Sequence, residues 1–399
     1  MTQARGRSLD RHALVRRANE QAVLAAVTAH GSLTRAEIAQ RTGLSKPTTL
    51  GIVSALHVEG LVRFLPGEAD GPGRVPELVA AEPRARLVVG IDLGGSKVRV
   101  AAADLDGLVL AEHTEATDRR DAPAVVGQLA RMARATVEET GVAWRKVAGV
   151  AVGTPGVVQP SGALAMGANV DDLGGLDLAR ELRRLLRVTA RVDNDVNLAA
   201  LGEQAAGMAK DCATFAVVAI GTGLGAGLVI DGRLVRGHRG AAGEVAYLPI
   251  GVAPTVPAAR RRGSLEVAAA GSGIVASLRR HIAQGAPTAL GRRSRVEQVL
   301  AAAEAGDAVA RAVVAEEADL LAQAILSIAA MIDPEMIVLT GGIGSNPALL
   351  GPVVHAVDAI APFPIRVETS ALGDRAGVVG AVALAQEHAR LELLGRSPM

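Results

Sequence analysis

A glycine turn near residue 95 combines the residue types that bind a phosphate group. Residues 88–97 read V-V-G-I-D-L-G-G-S-K, an apolar strand pattern that carries Asp92 and then ends in Gly94, Gly95, Ser96 and Lys97. Adjacent glycines let backbone N–H groups approach an anion without interference from a Cβ atom, and a strand that runs into such a turn gathers those donors. We therefore predict that these residues bind the phosphates of a nucleotide.

The residues after the second glycine show that this turn is not a P-loop. A P-loop requires lysine directly after its second glycine, where this chain has Ser96. Val98, Val100 and Ala102 then continue in strand alternation, so a hairpin and not a helix leaves the turn.

A second glycine turn has the same plan. Residues 215–220 are apolar, residues 221–227 read G-T-G-L-G-A-G with Thr222, Gly223 and Gly225, and a second strand is predicted over 228–230. The formal dinucleotide fingerprint G-x-G-x-x-A is rejected, because that motif requires a helix after the glycines. Paired glycine hairpins favour two α/β lobes that hold a nucleotide between them, and the alternative is two ordinary hairpins with flexible turns.

Two further stretches carry groups suited to a site. Residues 193–197, D-N-D-V-N, follow a short strand and open a helix; Asp193 is expected to cap that helix, and another carboxylate can accept a proton from a hydroxyl. Gly341 and Gly342 form a third glycine turn, which is suited to close backbone approach around a nucleoside.

The elements that position these groups follow from apolar periodicity. Amphipathic or apolar helices are predicted over 122–140, 178–186, 198–208, 318–332 and 376–393, and buried strands over 147–152, 190–192 and 336–339. The pattern is that of an α/β protein.

The first 80 residues have a different pattern, that of a helix-turn-helix. Helices are predicted over 18–30, 34–41 and 46–58; Thr34 and Glu37 form a capping box, and Gly43 ends the second helix. Strands over 61–65 and 75–79 then form a wing. The exposed leading face of the third helix is predicted to read DNA, together with an arginine in the wing and one in the linker, which gives the candidate contacts Ser45, Lys46, Thr48, Thr49, Arg63 and Arg74. A three-helix bundle for protein contact is the alternative.

Composition and charge limit the classes of protein to which this chain can belong. The chain has 399 residues, of which 49% are hydrophobic, and a net charge of +1. Residues 1–46 hold eight basic and three acidic residues, a local excess that favours contact with nucleic acid. No apolar run is long enough to span a membrane, and the N-terminus has no apolar signal core, so a soluble cytoplasmic protein without a membrane partner is expected. Cys212 is the only cysteine, which excludes an internal disulfide and a cysteine-based zinc cluster.

The motifs in combination resemble the ROK family of repressors and sugar kinases. They are the glycine turns, N-D-V-N-L-A-A-L-G-E at 194–203, G-A-A-G-E at 240–244 and D-P-E-M-I-V-L-T-G-G at 333–342. The winged helix-turn-helix resembles the regulator branch of that family. The resemblance implies a two-lobed actin-like (RNase H-like) fold after a DNA-binding domain at 1–80, with lobes at 84–193, joined by 376–399, and at 194–375.

The resemblance also implies roles for individual residues. ATP with Mg²⁺ would place its phosphates near residues 94–97 and 222–225, with Mg²⁺ near Asp92 and adenosine near residues 341–342. Asp195 matches the catalytic base, and Asn194, Glu244 and Glu266 match sugar contacts.

Departures from the family pattern concern the sugar pocket. Tyr247 stands where the kinases carry a histidine, and Pro257, Ala259 and Ser264 stand where cysteines are expected, so no structural zinc is predicted. Tyr247 either donates a hydrogen bond to a sugar hydroxyl or plugs the pocket. Members of the family often carry a tryptophan near the position of Asn169, and this chain lacks it. Asn169 itself is a further candidate sugar contact.

These observations predict a sugar-responsive DNA-binding regulator, a repressor, that acts on operator DNA as a homodimer or homotetramer. The alternative is an ATP-dependent hexose kinase that also binds DNA. A pure interaction module is the third hypothesis.

Overall fold

The N-terminal part of the computed structural model is a winged helix-turn-helix. The structure describes residues 2–67, 75–159, 162–165 and 175–395, with side chains from residue 14 onward. The first elements are α1 (Thr2–His30), β1 (Leu33–Thr34), α2 (Arg35–Thr42), α3 (Lys46–Val58), β2 (Val62–Pro66) and β3 (Glu77–Ala81). β3 lies between β1 and β2 and is antiparallel to both. The predicted helices and wing are confirmed, although α1 begins well before residue 18.

Local capping explains where these helices begin. The side chain of Thr34 accepts a hydrogen bond from the Glu37 N–H group, and the Glu37 carboxylate accepts one from the Thr34 N–H group, so the predicted capping box is present. Gly43 ends α2 in the left-handed conformation, with φ of 69°, which glycine adopts without steric cost. Ser45 then caps α3.

A five-stranded mixed sheet forms the first lobe. Its elements are β4 (Leu87–Leu93), β5 (Lys97–Asp104), β6 (Val109–Ala116), α4 (Ala122–Glu139), β7 (Val147–Thr154), the two-stranded β8 (Val157–Val158) and β9 (Leu164–Ala165), α5 (Leu178–Leu186), β10 (Thr189–Asn194) and α6 (Asp195–Ala206). The strand order is β10-β7-β4-β5-β6, with β4, β5 and β6 antiparallel and β4, β7 and β10 parallel.

The second lobe repeats this topology. Its elements are β11 (Phe215–Ile220), β12 (Leu224–Ile230), β13 (Arg233–Val235), α7 (Pro257–Arg262), α8 (Ser264–Ala269), α9 (Gly271–Ala283), α10 (Val296–Glu304), α11 (Ala308–Ile332), β14 (Met336–Thr340), α12 (Gly341–Gly344), α13 (Pro347–Ile360) and β15 (Val367–Thr369). The last helix, α14 (Ala376–Leu393), returns to the sheet of the first lobe. The order β13-β12-β11-β14-β15 has the same pattern of antiparallel and parallel pairs. The predicted duplication of two α/β lobes is therefore confirmed.

The two sheets enclose a central layer made of α6 and α14. One face of the first sheet packs on α4 and α5, and its other face packs on α14 and on Leu198 of α6. In the second sheet, Phe215 and Val217 face α6, while Ala216 and Val218 face the outer helices, as the alternation of side chains along a strand requires. The central helices thus join both lobes.

Two predictions about glycine turns are corrected. β12 begins at Leu224, so Gly225 and Gly227 lie within a strand and not in a turn. A Cβ atom on Gly227 would lie 2.6 Å from the carbonyl oxygen of Val196, so glycine is used there for close packing against α6. The turn at Gly341–Gly344 is a single helical turn. Among the helices that the structure describes, none has the length and apolarity needed to cross a membrane.

Candidate functional site

The N-terminus of α3 presents the candidate DNA contacts. The Ser45 hydroxyl accepts a hydrogen bond from the Thr48 N–H group at 3.3 Å and lies 2.7 Å from the Thr48 hydroxyl. Lys46 and Thr48 are exposed. Leu50, 52% exposed on the same helix, was not among the predicted contacts; an exposed apolar side chain there is suited to contact a thymine methyl group.

The prediction that Thr49 lies on the exposed face is wrong. Thr49 is 1% exposed, and its hydroxyl donates to the Ser45 carbonyl oxygen at 3.1 Å. Ile52 and Val53 follow it by three and four residues and are buried, which places all three side chains on one helix face. In the wing, Arg63 is exposed on β2, while Arg74 lies outside the described residues.

The turn after β4 has a geometry suited to anions. The hydroxyl of Thr117 donates to the Gly94 carbonyl at 2.7 Å, its N–H group donates to the Ser96 carbonyl at 3.1 Å, and Arg119 donates to the Gly95 carbonyl. Within the described part of the chain, the Gly95 and Ser96 N–H groups have no hydrogen-bond acceptor. Three carbonyl groups are thus tied to the segment after β6, and these N–H donors remain available to an anion.

The other two glycine turns adjoin each other in the second lobe. The Gly271 N–H group, at the start of α9, donates to the Gly221 carbonyl at 3.0 Å, beside Thr222 and Gly223. Gly341 has φ of 85°, and a Cβ atom there would lie 2.5 Å from the Ile220 carbonyl oxygen, whereas a Cβ atom on Gly342 would meet nothing within 4 Å.

The start of α6 carries an amide and a carboxylate where the two lobes meet, a region that we call the cleft. The Asn194 side chain caps α6, accepting from the Val196 and Asn197 N–H groups at 2.9 and 3.0 Å, and its amide donates to the Gly156 carbonyl at 3.1 Å. Asp195 is the first residue of the helix, and burial raises the pKa of its carboxyl group.

The expectation that Asp193 caps this helix is therefore wrong. Asn194 has that role. The Asp193 carboxylate instead accepts hydrogen bonds at 2.8 Å from the Asn194 N–H group and from the Arg236 side chain, and one at 3.0 Å from the Asn197 side-chain amide. Since Asp193 is the penultimate residue of β10 and Arg236 follows β13, the ion pair joins the two lobes.

Three carboxyl groups that the sequence analysis proposed for the sugar site, those of Asp195, Glu244 and Glu266, interact electrostatically. Burial raises the pKa of Glu244, and the charges of Asp195 and Glu266 raise it further. The Glu266 carboxylate accepts from Arg262 at 2.9 Å and from the Leu224 N–H group at 3.2 Å. These side chains converge although they come from three separate segments.

Tyr247 lies beside Arg261. The Tyr247 hydroxyl donates to the Arg261 carbonyl at 3.2 Å, and burial raises the pKa of this phenol. Asn169 lies outside the described residues.

Asp92, near the end of β4, interacts electrostatically with Asp195. Burial, and then the charge of Asp195, raises the pKa of Asp92 to about 7. A Cβ atom on Gly377, at the start of α14, would lie 2.8 Å from the Asp92 carboxyl carbon, so the helix backbone lies directly against this carboxylate. A divalent cation at Asp92 would offset the repulsion between the two carboxylates, and this donor chemistry fits Mg²⁺. Within the described residues, no three His, Cys, Asp or Glu side chains form a ready metal site.

The cleft also contains Arg99 and Asp374, which the sequence analysis did not identify. Asp374 accepts hydrogen bonds from Lys97 and Arg99 across 277 and 275 positions of the chain. No local pattern marks such a pair; the only signal is the position of Asp374 just before a glycine-rich helix.

The fold and the site together define a two-lobed, actin-like protein of the sugar-kinase type that carries a winged helix-turn-helix. Residues 88–388 match the ROK family and residues 22–66 match the IclR helix-turn-helix domain, so the chain belongs to the ROK family. It is 25% identical to a xylose repressor of Caldicellulosiruptor bescii over 94% of this chain and 96% of the relative.

Two solved structures share the fold. A ROK family transcriptional regulator, a homologue of the Escherichia coli MLC protein, is 22% identical with a TM-score of 0.77 over 95% of this chain and 98% of that one. A ROK family glucokinase from Streptomyces griseus, in complex with glucose and AMPPNP, is 27% identical with a TM-score of 0.65 over 75% of this chain and 99% of that one. The kinase likeness covers the two lobes, and the regulator likeness covers the winged domain as well.

Proposed function

We propose that this chain is a sugar-responsive transcriptional repressor. Its winged domain, residues 1–80, binds operator DNA, and a sugar or sugar phosphate binds between lobes at 84–193, with 376–399, and 194–375. The observation that carries the proposal is that α14 touches both parts. Gly377 at its start lies against Asp92, while Leu394 just after its end packs on the apolar core of the winged domain.

The DNA contact is assigned to the leading end of α3 and to the wing. Lys46 and Thr48 are exposed there, and Ser45 fixes the helix start. In a homodimer or homotetramer two such helices enter the major groove at half-sites one or more helical turns apart. Since operator DNA lies in the cytoplasm of a bacterial cell, we propose a cytoplasmic location for the protein.

The sugar contact is assigned to Asn194, Asp195, Glu244 and Glu266, and Tyr247 and Asn169 are further candidate contacts. Carboxylates and amides are suited to the hydroxyl groups of a sugar, because each accepts or donates hydrogen bonds at fixed positions. A sugar that binds both lobes favours the closed cleft, and a ligand shifts a conformational equilibrium only through such a difference in affinity.

The test measures operator affinity with and without sugar on the full chain. A library of upstream fragments supplies the operator, a panel of sugars and sugar phosphates supplies the ligand, and calorimetry establishes which ligand binds. The ligand that binds is expected to change operator affinity by about five- to 150-fold without ATP. A bound sugar that leaves the operator dissociation constant unchanged contradicts the proposal.

Two variants separate the parts. Lys46→Ala is expected to weaken operator binding by about 1–3 kcal/mol if Lys46 contacts a base edge. Asp195→Asn is expected to retain the sugar response, because the amide keeps its hydrogen bonds although it cannot accept the proton of a sugar hydroxyl.

The second candidate function is an ATP-dependent sugar kinase. Two features favour it: the Gly95 and Ser96 N–H groups, which have no acceptor within the described part of the chain and are suited to phosphate binding, and the half-buried Asp195 carboxylate, which is suited to proton abstraction. ATP would bind across residues 94–97, Thr222, Gly223, Gly225 and residues 341–342, with Mg²⁺ near Asp92. A coupled assay of ADP release across a sugar panel tests it, and activity that Asp195→Asn abolishes supports it.

A further inference from the structure

An ion cluster around Asp374 lies at the phosphate side of the cleft. Asp374 belongs to the segment that leads from β15 to α14, whereas Lys97 and Arg99 lie on β5 of the first sheet. One carboxylate oxygen, Oδ2, accepts from Lys97 Nζ at 2.5 Å and from Arg99 Nη2 at 2.9 Å, and Oδ1 accepts from Arg99 Nη1 at 3.0 Å. The cluster joins the lobe that carries the phosphate loop to the second lobe.

The cluster engages the cation that ends the phosphate loop. Lys97 follows Gly95 and Ser96, whose N–H groups are available to an anion. Its ammonium group is a cation at this turn, and a second cation, Arg119, donates to the Gly95 carbonyl. Arg99 is only 11% exposed in its side chain and also donates to the Asp374 carbonyl oxygen at 2.7 Å. These hydrogen bonds hold the pKa of Asp374 well below its usual range, so the carboxylate is ionised at neutral pH.

The backbone at Asp374 is fixed from the side of the central helices. The Ser370 hydroxyl donates to the buried Glu203 carboxylate of α6, and its oxygen accepts from the Gly373 N–H group at 3.0 Å. The Thr340 hydroxyl donates to the Gly373 carbonyl at 3.3 Å. The backbone of Gly373, directly before Asp374, is therefore fixed, and this positions the half-exposed Asp374 carboxylate beside Lys97.

We propose that Asp374 is an internal anion that competes with a nucleotide phosphate for Lys97 and thereby sets the affinity of the cleft for nucleoside triphosphates. A triphosphate must either break the bonds of Asp374 to Lys97 or place its own negative charge beside this carboxylate. Both alternatives lower its affinity. The sugar side of the cleft, at Glu244 and Glu266, is not involved, so the proposal deepens the sugar response proposed above by accounting for its independence of ATP.

The experiment is titration calorimetry of Mg·ATP and Mg·AMPPNP into the full chain and four variants. Asp374→Asn removes the charge and is expected to bind nucleotide at least about tenfold more tightly than the wild type. Asp374→Glu restores the charge and is expected to return toward wild-type affinity. Glu112→Gln is the matched control, because Glu112 lies 3.4 Å from Arg99 but does not contact Lys97. Its affinity is expected to stay within about twofold of the wild type.

Several results would overturn the proposal. The first is that Asp374→Asn and the wild type bind nucleotide with the same affinity, or that neither shows measurable binding. The second is that Asp374→Glu also binds nucleotide more tightly than the wild type. Asp374→Ala, which also removes the charge, serves if the Asn variant does not fold. It is expected to tighten nucleotide binding by at least about tenfold, and an unchanged affinity contradicts the proposal. Operator DNA is absent from these titrations, so their failure leaves the repressor function to its own test.

Discussion

Substitution of Gly380 by alanine tests whether the close crossing of α6 and α14 holds the two lobes together. A methyl group on Gly380 would overlap the carbonyl oxygen of Leu198 on α6. On the facing helix, a methyl group on Gly202 would overlap the carbonyl oxygen of Ala376. Because both obstacles are backbone atoms, no change of rotamer relieves the overlap. The two helices must move apart, and each of them packs on a sheet.

The size of the effect follows from two opposing terms. Overpacking of a closely packed core costs about 1–3 kcal/mol, and the upper value applies here because the obstacle is backbone. Alanine in place of glycine within a helix contributes up to about 1 kcal/mol in the other direction, through the lower entropy of the unfolded chain. We expect Gly380→Ala to lower the free energy of unfolding by about 2 kcal/mol.

Urea unfolding followed by far-UV circular dichroism measures this change, and Gly127→Ala is the matched control. Gly127 lies within α4, and a Cβ atom there would meet nothing within 4 Å. The control is therefore expected to gain up to about 1 kcal/mol, the opposite sign for the same chemical change. The reasoning is refuted if Gly380→Ala unfolds at the same or a higher urea concentration than the wild type while the control shows its gain.

Two other substitutions probe buried charge. Arg236→Ala leaves the Asp193 carboxylate, which is 6% exposed, without its cation. We expect it to lower the free energy of unfolding by about 2 kcal/mol, less than the usual cost of breaking a buried ion pair, because Arg236 is half exposed. Unchanged unfolding in urea contradicts this expectation. Burial raises the pKa of Glu317 well above 4.5 in the folded state, and its Oε1 atom has no hydrogen-bond partner. The folded state then holds this proton more tightly than the unfolded state, so wild-type stability falls as pH rises above about 4.5. Glu317→Met is expected to be more stable than the wild type by about 1–3 kcal/mol at pH 8 and by less at pH 5, and equal gains at the two pH values contradict it.

Local patterns predicted much of the fold. The bounds of α5 and α14 agree with the predicted 178–186 and 376–393, because apolar periodicity and the surrounding turns mark both ends of each helix. Hairpins were predicted at both glycine turns, since strand alternation continued directly after the glycines. These features depend on residues close in sequence, and the structure retains them.

The misplaced details depend on contacts between distant segments. Thr49 is polar and lies near a helix start, yet packing of α3 on the winged core buries it. Aspartate is a residue type that commonly caps helices, but Asp193 forms an ion pair with Arg236 of the other lobe instead. The partnership of Lys97 with Asp374 joins residues that come together only when β5 and the start of α14 are both in place. No sequence pattern encodes such a pair.

The close crossing at Gly380 allows a tilt of α14 to connect movement at the cleft with movement of the winged domain. Gly377 at one end lies against Asp92, and at the other end Leu394 enters the winged core while Gly395 lies against Gln21 of α1. Helices resist bending over the about 27 Å that 18 residues span, so a tilt of α14 at the cleft must displace its far end. The crossing at Gly202 and Gly380 fixes the point about which α14 tilts as α6 moves with the lobes. We therefore expect Gly380→Ala, studied below its unfolding transition, to retain sugar binding but to alter the sugar dependence of operator affinity, whereas Gly127→Ala leaves that dependence unchanged.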